Sequence, residues 1–306
     1  MAFTAKDVQL LREKTGVGMM DCKKALAETD GDMDKAVDIL REKGLATATK
    51  KAGRIASEGV VAAYNDGKVA ALAEVNCETN FVAKVDAFVA LAGKVAKTVA
   101  LTDPADVDAL LKVKAADSDR TVEEEVQDVF LAIRENMKVR RFARSEGAVA
   151  TYIHAGGSVG VMVNFDTDEA TAANEEFVAM GKDVAMQVAA MNPLYLDPDA
   201  VPAEVVAHEK EIQVTQMKND PKMANKPEQV LVKIVEGKMG KYYSEVCLAK
   251  QEFVKDGSMT VEKYVESVAK KLGASIKLAG FTRFAMGEGL QKKEENFADE
   301  IASMIK

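Results

Sequence analysis

Apolar positions along this chain change period in an ordered way. Near the amino terminus, Val8, Leu10 and Leu11 fall at helical spacing behind Thr4. The pairing of Thr4 with Asp7 has the form of a capping box. Gly16 and Gly18 stop that run, and a second helical run, Met19 to Glu28, carries Met20, Cys22, Ala25 and Leu26. After Thr29-Asp30-Gly31-Asp32, a third run turns Met33, Ala36, Val37 and Leu40 inward, with Gly44 as its expected stop. Met19 and Met20 are adjacent, so both cannot point into one core, and at least one is expected on the surface. Ala46 to Arg54, small and basic, reads as a connector or a frayed helix.

The period then shortens. Val69 to Cys77 alternates like a strand behind a strong hairpin signal, Asn65-Asp66-Gly67-Lys68. It leads into Glu78-Thr79-Asn80-Phe81-Val82-Ala83-Lys84, after which Val85, Phe88, Val89, Leu91, Ala92, Val95 and Val99 form a helical stripe. Asn80 is the expected N-cap of that helix. Phe81 therefore lies at a strand-to-helix corner, either as a staple under its own helix or as an apolar point presented to a partner.

The pattern repeats. Ser57-Glu58-Gly59 returns as Ser145-Glu146-Gly147, and at the same offset of 88 Val61, Tyr64, Asn76 and Thr79 match Val149, Tyr152, Asn164 and Thr167. Phe88-Val89-Ala90 then matches Phe177-Val178-Ala179, Thr121-Val122-Glu123 resembles Thr260-Val261-Glu262, and Arg141-Phe142-Ala143 resembles Arg283-Phe284-Ala285. Each copy reads strand, turn, strand, helix, helix, strand, which makes the core α+β with helices covering one face of two antiparallel sheets. The expected division is an amino-terminal three-helix module at 1–54, core units at 55–145 and 146–286, and a carboxy-terminal helical module at 287–306.

The copies differ in two places. Asn80-Phe81-Val82-Ala83-Lys84 is replaced by Asp168-Glu169-Ala170-Thr171-Ala172, with no apolar counterpart to Phe81, which favours partner contact over stapling. The second copy also holds about fifty extra residues, a protruding helical hairpin at about 195–243. Its expected arms are Ala203–Asn219 and Pro227–Lys241, joined through Asp220-Pro221-Lys222. Val205, Val206, Ile212, Val214, Met217, Val230, Leu231, Ile234, Val235 and Met239 either zip these arms or serve self-association. The tail places Phe297, Ile301, Met304 and Ile305 on one helical face, for the core or for a partner groove.

Composition narrows the function. Lys and Arg number 41 against 49 Asp and Glu, a net charge of −8 that argues against direct nucleic-acid binding. Three scattered cysteines suit a reducing compartment, and neither a membrane-spanning run nor a signal-peptide core is present, so the cytoplasm is the expected location. There is no phosphate-binding glycine loop, since Gly237-Lys238-Met239-Gly240-Lys241 falls inside the hairpin. His154 and His208 lack a zinc context, and Cys77 sits in a strand without a partner cysteine. The reading is an interaction protein without a cofactor or metal, and not an enzyme.

Val75 to Lys84 and Leu11 to Leu26 resemble the two signatures of the elongation factor Ts family. Gly53, Glu58-Gly59, Tyr152 with His154, and Phe281-Thr282-Arg283-Phe284 extend the likeness along the chain. The resemblance implies a UBA-like amino-terminal bundle and guanine-nucleotide exchange on elongation factor Tu during translation elongation. It implies that Phe81, held by Thr79, Asn80 and Val82, inserts near the partner's magnesium ion and phosphate loop. It further implies that Arg12, Met19 and Met20 grip the same partner domain and His154 another. Asn80 departs from the Asp usual in the family, which removes one negative charge at the expected helix start. The rival reading is a helix-binding adaptor without exchange activity.

Overall fold

The computed structural model describes residues 3–220 and 226–291. The expected tail helix, with Phe297, Ile301, Met304 and Ile305, lies outside them, as do Pro221 and Lys222 of the hairpin's turn. The chain gathers into two compact units, one from the described parts of Met1–Ser145, Ile153–Gly160 and Phe284–Lys306, the other from Glu146–Tyr152 and Val161–Arg283.

In the first unit, α1 (Ala5–Thr15) opens with the expected capping box, since Asp7 N donates to Thr4 Oγ1 and Thr4 N to Asp7 Oδ2. Helices α2 (Met19–Glu28) and α3 (Met33–Lys51) follow. Leu10 is exposed, because neighbouring leucines on a helix point about 100° apart and Val8 and Leu11 take the inward face. One expectation fails here. Gly44 does not stop α3, which runs through the expected connector to Lys51. Gly44 is instead a point of close approach, where Leu131 of a later helix packs on it. Leu131 joins Val8, Leu11, Val17, Cys22, Ala25, Leu26, Ala36 and Leu40 in one apolar cluster, so the core of the three helices is completed from outside them.

Strands β1 (Glu58–Asn65) and β2 (Val69–Cys77) form the antiparallel hairpin. Helices α4 (Asp86–Thr102), α5 (Val107–Lys112) and α6 (Val122–Ile133) lead to β3 (Lys138–Glu146), and the sheet order is β1-β2-β3. Central β2 is buried on both faces. Ala71, Ala73, Val75 and Cys77 meet Phe88, Leu91, Val95 and Val99 of α4. Glu74 shares the opposite face with Asn76 and is wholly buried. It accepts from Arg140 Nη1 at 2.9 Å, Arg141 Nε at 2.6 Å, the Gly287 amide at 2.8 Å and Asn76 Nδ2 at 3.2 Å. Burial raises the Glu74 pKa, but the Gly287 amide and the two guanidiniums outweigh it and hold the carboxyl below its ordinary value.

The second copy runs β4 (Ala148–His154), β5 (Val159–Asp166), α7 (Glu169–Ala172), α8 (Glu175–Met191), α9 (Ala203–Asn219), α10 (Glu228–Val246), β6 (Glu252–Phe253), β7 (Asp256–Thr260), α11 (Val261–Leu272) and β8 (Lys277–Ala285). Its main sheet has the order β4-β5-β8, and the α+β architecture matches the sequence reading. The duplication is close in detail. Helices α4 and α8 each have 17 residues and end on a left-handed residue, Asp103 and Asn192. Helices α6 and α11 each have 12 residues and end left-handed at Arg134 and Gly273. Between these pairs the offset grows from 89 to 139, which places the 50-residue insertion. The arms α9 and α10 zip through Met217, Leu231, Val235 and Met239, while Ile212, Val230 and Val232 remain exposed.

Candidate partner-docking site

The corner is built differently from the sequence expectation. After Cys77 the chain turns through Glu78–Phe81 into one 3-10 turn, Val82–Lys84, and α4 begins only at Asp86. Asn80 therefore caps no helix: Phe81 precedes the 3-10 turn, Val85 precedes α4, and neither of these two side chains makes a capping hydrogen bond. The reason is Thr79, whose hydroxyl accepts from Val82 N at 3.4 Å and whose carbonyl accepts from Ala83 N at 3.3 Å. In the second copy the matching Asp168 does cap, accepting from Thr171 N at 2.9 Å to start α7.

Val82 turns inward beside Cys77 and Phe88. Its neighbour Phe81 points out, 82% exposed, more than any other large apolar side chain among the described residues. Burying a phenylalanine stabilises by roughly 1.5–3 kcal/mol, so a ring held in water on an ordered corner is available surface for a partner.

The corner is pinned from beneath. Glu135 accepts from Thr79 N at 3.0 Å through one carboxylate oxygen and from Thr79 Oγ1 at 2.8 Å through the other. Glu78 accepts from Asn136 N at 2.7 Å and pairs with Arg54 Nη1 at 3.3 Å. Asn136 Nδ2 in turn donates to Arg54 O at 2.8 Å. The Cys77 thiol donates to Thr79 O at 3.2 Å. Burial, with the Glu135 charge adding to it, pushes that thiol up to about 12, so Cys77 is a protonated core donor and not a nucleophile.

Two further groups of expected contact residues lie in the same compact unit. On the helical module, Arg12 is exposed on α1, and Met19 and Met20 at the start of α2 are 43% and 63% exposed. Both methionines face water, and Leu10 adds to the exposed apolar surface of these helices. His154 is exposed where β4 enters a turn with left-handed Ala155, Gly156 and Gly157. That turn is tied to β1, since Gly157 O accepts from Val61 N at 2.8 Å and a β-carbon at Gly157 would lie 2.8 Å from Val60 Cβ. Sequence reasoning missed Arg54, Glu135 and Asn136. The signal lay in the repeat, because at offset 139 the second copy has Ala274-Ser275 where the first has Glu135-Asn136. Among the described residues, no group of three or more His, Cys, Asp or Glu could hold a metal ion, and no helix is long and apolar enough to cross a membrane.

The fold is thus a duplicated α+β core with exposed apolar points on pinned supports. The family model for elongation factor TS matches residues 78–288. Along 99% of both chains, this one is 48% identical to the elongation factor Ts of Clostridium kluyveri, and it is likewise 48% identical to that of Clostridium perfringens. It is 47% identical to the elongation factor Ts of Syntrophotalea carbinolica over the whole of both. The chain belongs to the elongation factor Ts family and is a translation elongation factor.

Proposed function

We propose that the chain is a guanine-nucleotide exchange factor that binds elongation factor Tu and speeds the release of GDP. The observation that carries this reading is Phe81, an exposed ring on a corner pinned by Glu135 and Glu78. Inserted into the partner's nucleotide domain, the ring displaces groups that hold the magnesium ion and the phosphates. Thr79, Asn80 and Val82 shape the corner; Arg12, Met19 and Met20 grip the same domain, and His154 touches another. Thermodynamic linkage supplies the rest. A protein that binds the empty GTPase more tightly than the loaded one weakens nucleotide binding by the same factor, commonly 5–150-fold. Such a protein needs no nucleotide site, metal ligand or catalytic pair of its own.

The adaptor reading drew its support from Asn80 in place of Asp. Asn80 caps no helix, so the exchange of residues removes no cap, and that support weakens. Release of a fluorescent GDP analogue from elongation factor Tu separates the two: acceleration by this chain supports exchange, whereas tight binding without acceleration supports the adaptor. Self-association is assigned to the exposed Ile212, Val230 and Val232 of the hairpin. Sedimentation of Ile212→Asp against the parent tests it, and an unchanged association state refutes it.

A further inference from the structure

We infer that Glu135 is a positioning residue for Phe81, holding the corner in the one conformation from which the ring can act; this rests on the exchange reading above. The first support is geometric. Both carboxylate oxygens of Glu135 are spent on Thr79, one on its amide at 3.0 Å and one on its hydroxyl at 2.8 Å, two residues before Phe81. A two-point grip removes the rotation that a single hydrogen bond leaves free, and hydrogen bonds to a charged acceptor are the stronger kind. The gripped hydroxyl then accepts from Val82 N, so the chain is fixed on both sides of the ring.

The second support is the internal control that the duplication provides. Thr167 matches Thr79 at offset 88, and Ala274 matches Glu135 at offset 139. The second copy lacks both the aromatic ring and the carboxylate. Its Thr167 hydroxyl is buried without a hydrogen-bond partner, the state left behind where the acceptor is absent. The grip therefore accompanies the ring, not the fold, since α11 and β8 form without it.

The third support is the setting of Glu135. Arg134 before it ends α6 in the left-handed region, at φ 63°, where the second copy has Gly273. A non-glycine residue is uncommon there and is held by its surroundings. Arg134 is retained by Asp21 of α2, 2.9 Å from its Nη2, and by Lys51 Nζ on its carbonyl. Asn136 binds Glu78 and the backbone of Ala52 and Arg54. Arg134-Glu135-Asn136 thus joins the helix that begins with Met19 and Met20 to the corner that carries Phe81.

The test is the release of a fluorescent GDP analogue from elongation factor Tu, measured across concentrations of the parent, Glu135→Ala, Glu135→Gln, Phe81→Ala and the double variant. Loss of the grip in Glu135→Ala is expected to lower the saturating release rate about tenfold, with the half-saturating concentration moving less than about threefold. Glu135→Gln keeps an acceptor for the Thr79 amide and should stay within about threefold of the parent. The double variant should be no slower than Phe81→Ala, because a corner without the ring has nothing to position. If Phe81→Ala is slow and Glu135→Ala matches the parent, the positioning role is overturned and the exchange reading stands. If Phe81→Ala itself matches the parent, the insertion reading fails and the positioning role fails with it. If Glu135→Ala instead raises the half-saturating concentration in step with the loss of rate, the residue serves structure alone and the inference is refuted.

Discussion

Leu131 of α6 lies so close to Gly44 of α3 that a β-carbon on the glycine would stand 1.9 Å from Leu131 Cδ2. Helix α3 and the first core unit meet through that absence of a side chain. Gly44→Ala gains up to about 1 kcal/mol of helix propensity. It loses about 1–3 kcal/mol to overpacking against a buried leucine. The net expectation is destabilisation by about 1 kcal/mol in urea unfolding. In a Leu131→Ala background the sign should reverse, and a stabilising Gly44→Ala in the parent would refute the contact.

That contact shows where sequence reading stops. The helices, the hairpin turn, the duplication and the insertion follow from local period and self-similarity, which one chain displays in full. A glycine late in a helical run, by contrast, looks the same whether it ends the helix or admits a neighbour 87 residues away. The Asn80 expectation fails for a related reason. Asn at a strand-to-helix corner is a good cap by type, but Thr79, gripped by Glu135, uses its own hydroxyl and carbonyl to start the 3-10 turn. Phe81 and the methionine pair were legible because large apolar residues at a turn, or side by side on a helix, conflict with burial. Glu135 and Glu74 were not, because a carboxylate whose partners lie far along the chain leaves no periodic trace.

Glu74 gives a prediction about pH. Its folded-state pKa lies below the ordinary value of 4.5, so the stability it contributes is present above about that pH and is lost as pH falls through the folded value. Urea unfolding of the parent should weaken as pH falls below the ordinary carboxylate value of 4.5, and Glu74→Gln should show a flatter profile there. At pH 7 the variant should already be less stable by about 3 kcal/mol, since Arg140 and Arg141 lose their buried partner. Parallel pH profiles for the two proteins would contradict this account of Glu74.

Asn80→Asp introduces a carboxylate at a position that caps no helix. The added charge near the 3-10 turn is worth at most about 1 kcal/mol, so GDP release should change by less than about fivefold. Thermal unfolding should place stability within about 0.5 kcal/mol of the parent. A hundredfold rise in exchange would make the acid, and not the ring, the main actor.

The central claim is that Phe81 drives exchange. The most direct measurement is the saturating rate of fluorescent GDP release from elongation factor Tu with the parent and with Phe81→Ala, after circular dichroism has shown both to be folded. The ring is 82% exposed, so its removal should leave the fold intact. Release with the variant should be slower by about tenfold or more, the scale of a coupling free energy. Equal rates for the two proteins would contradict the account.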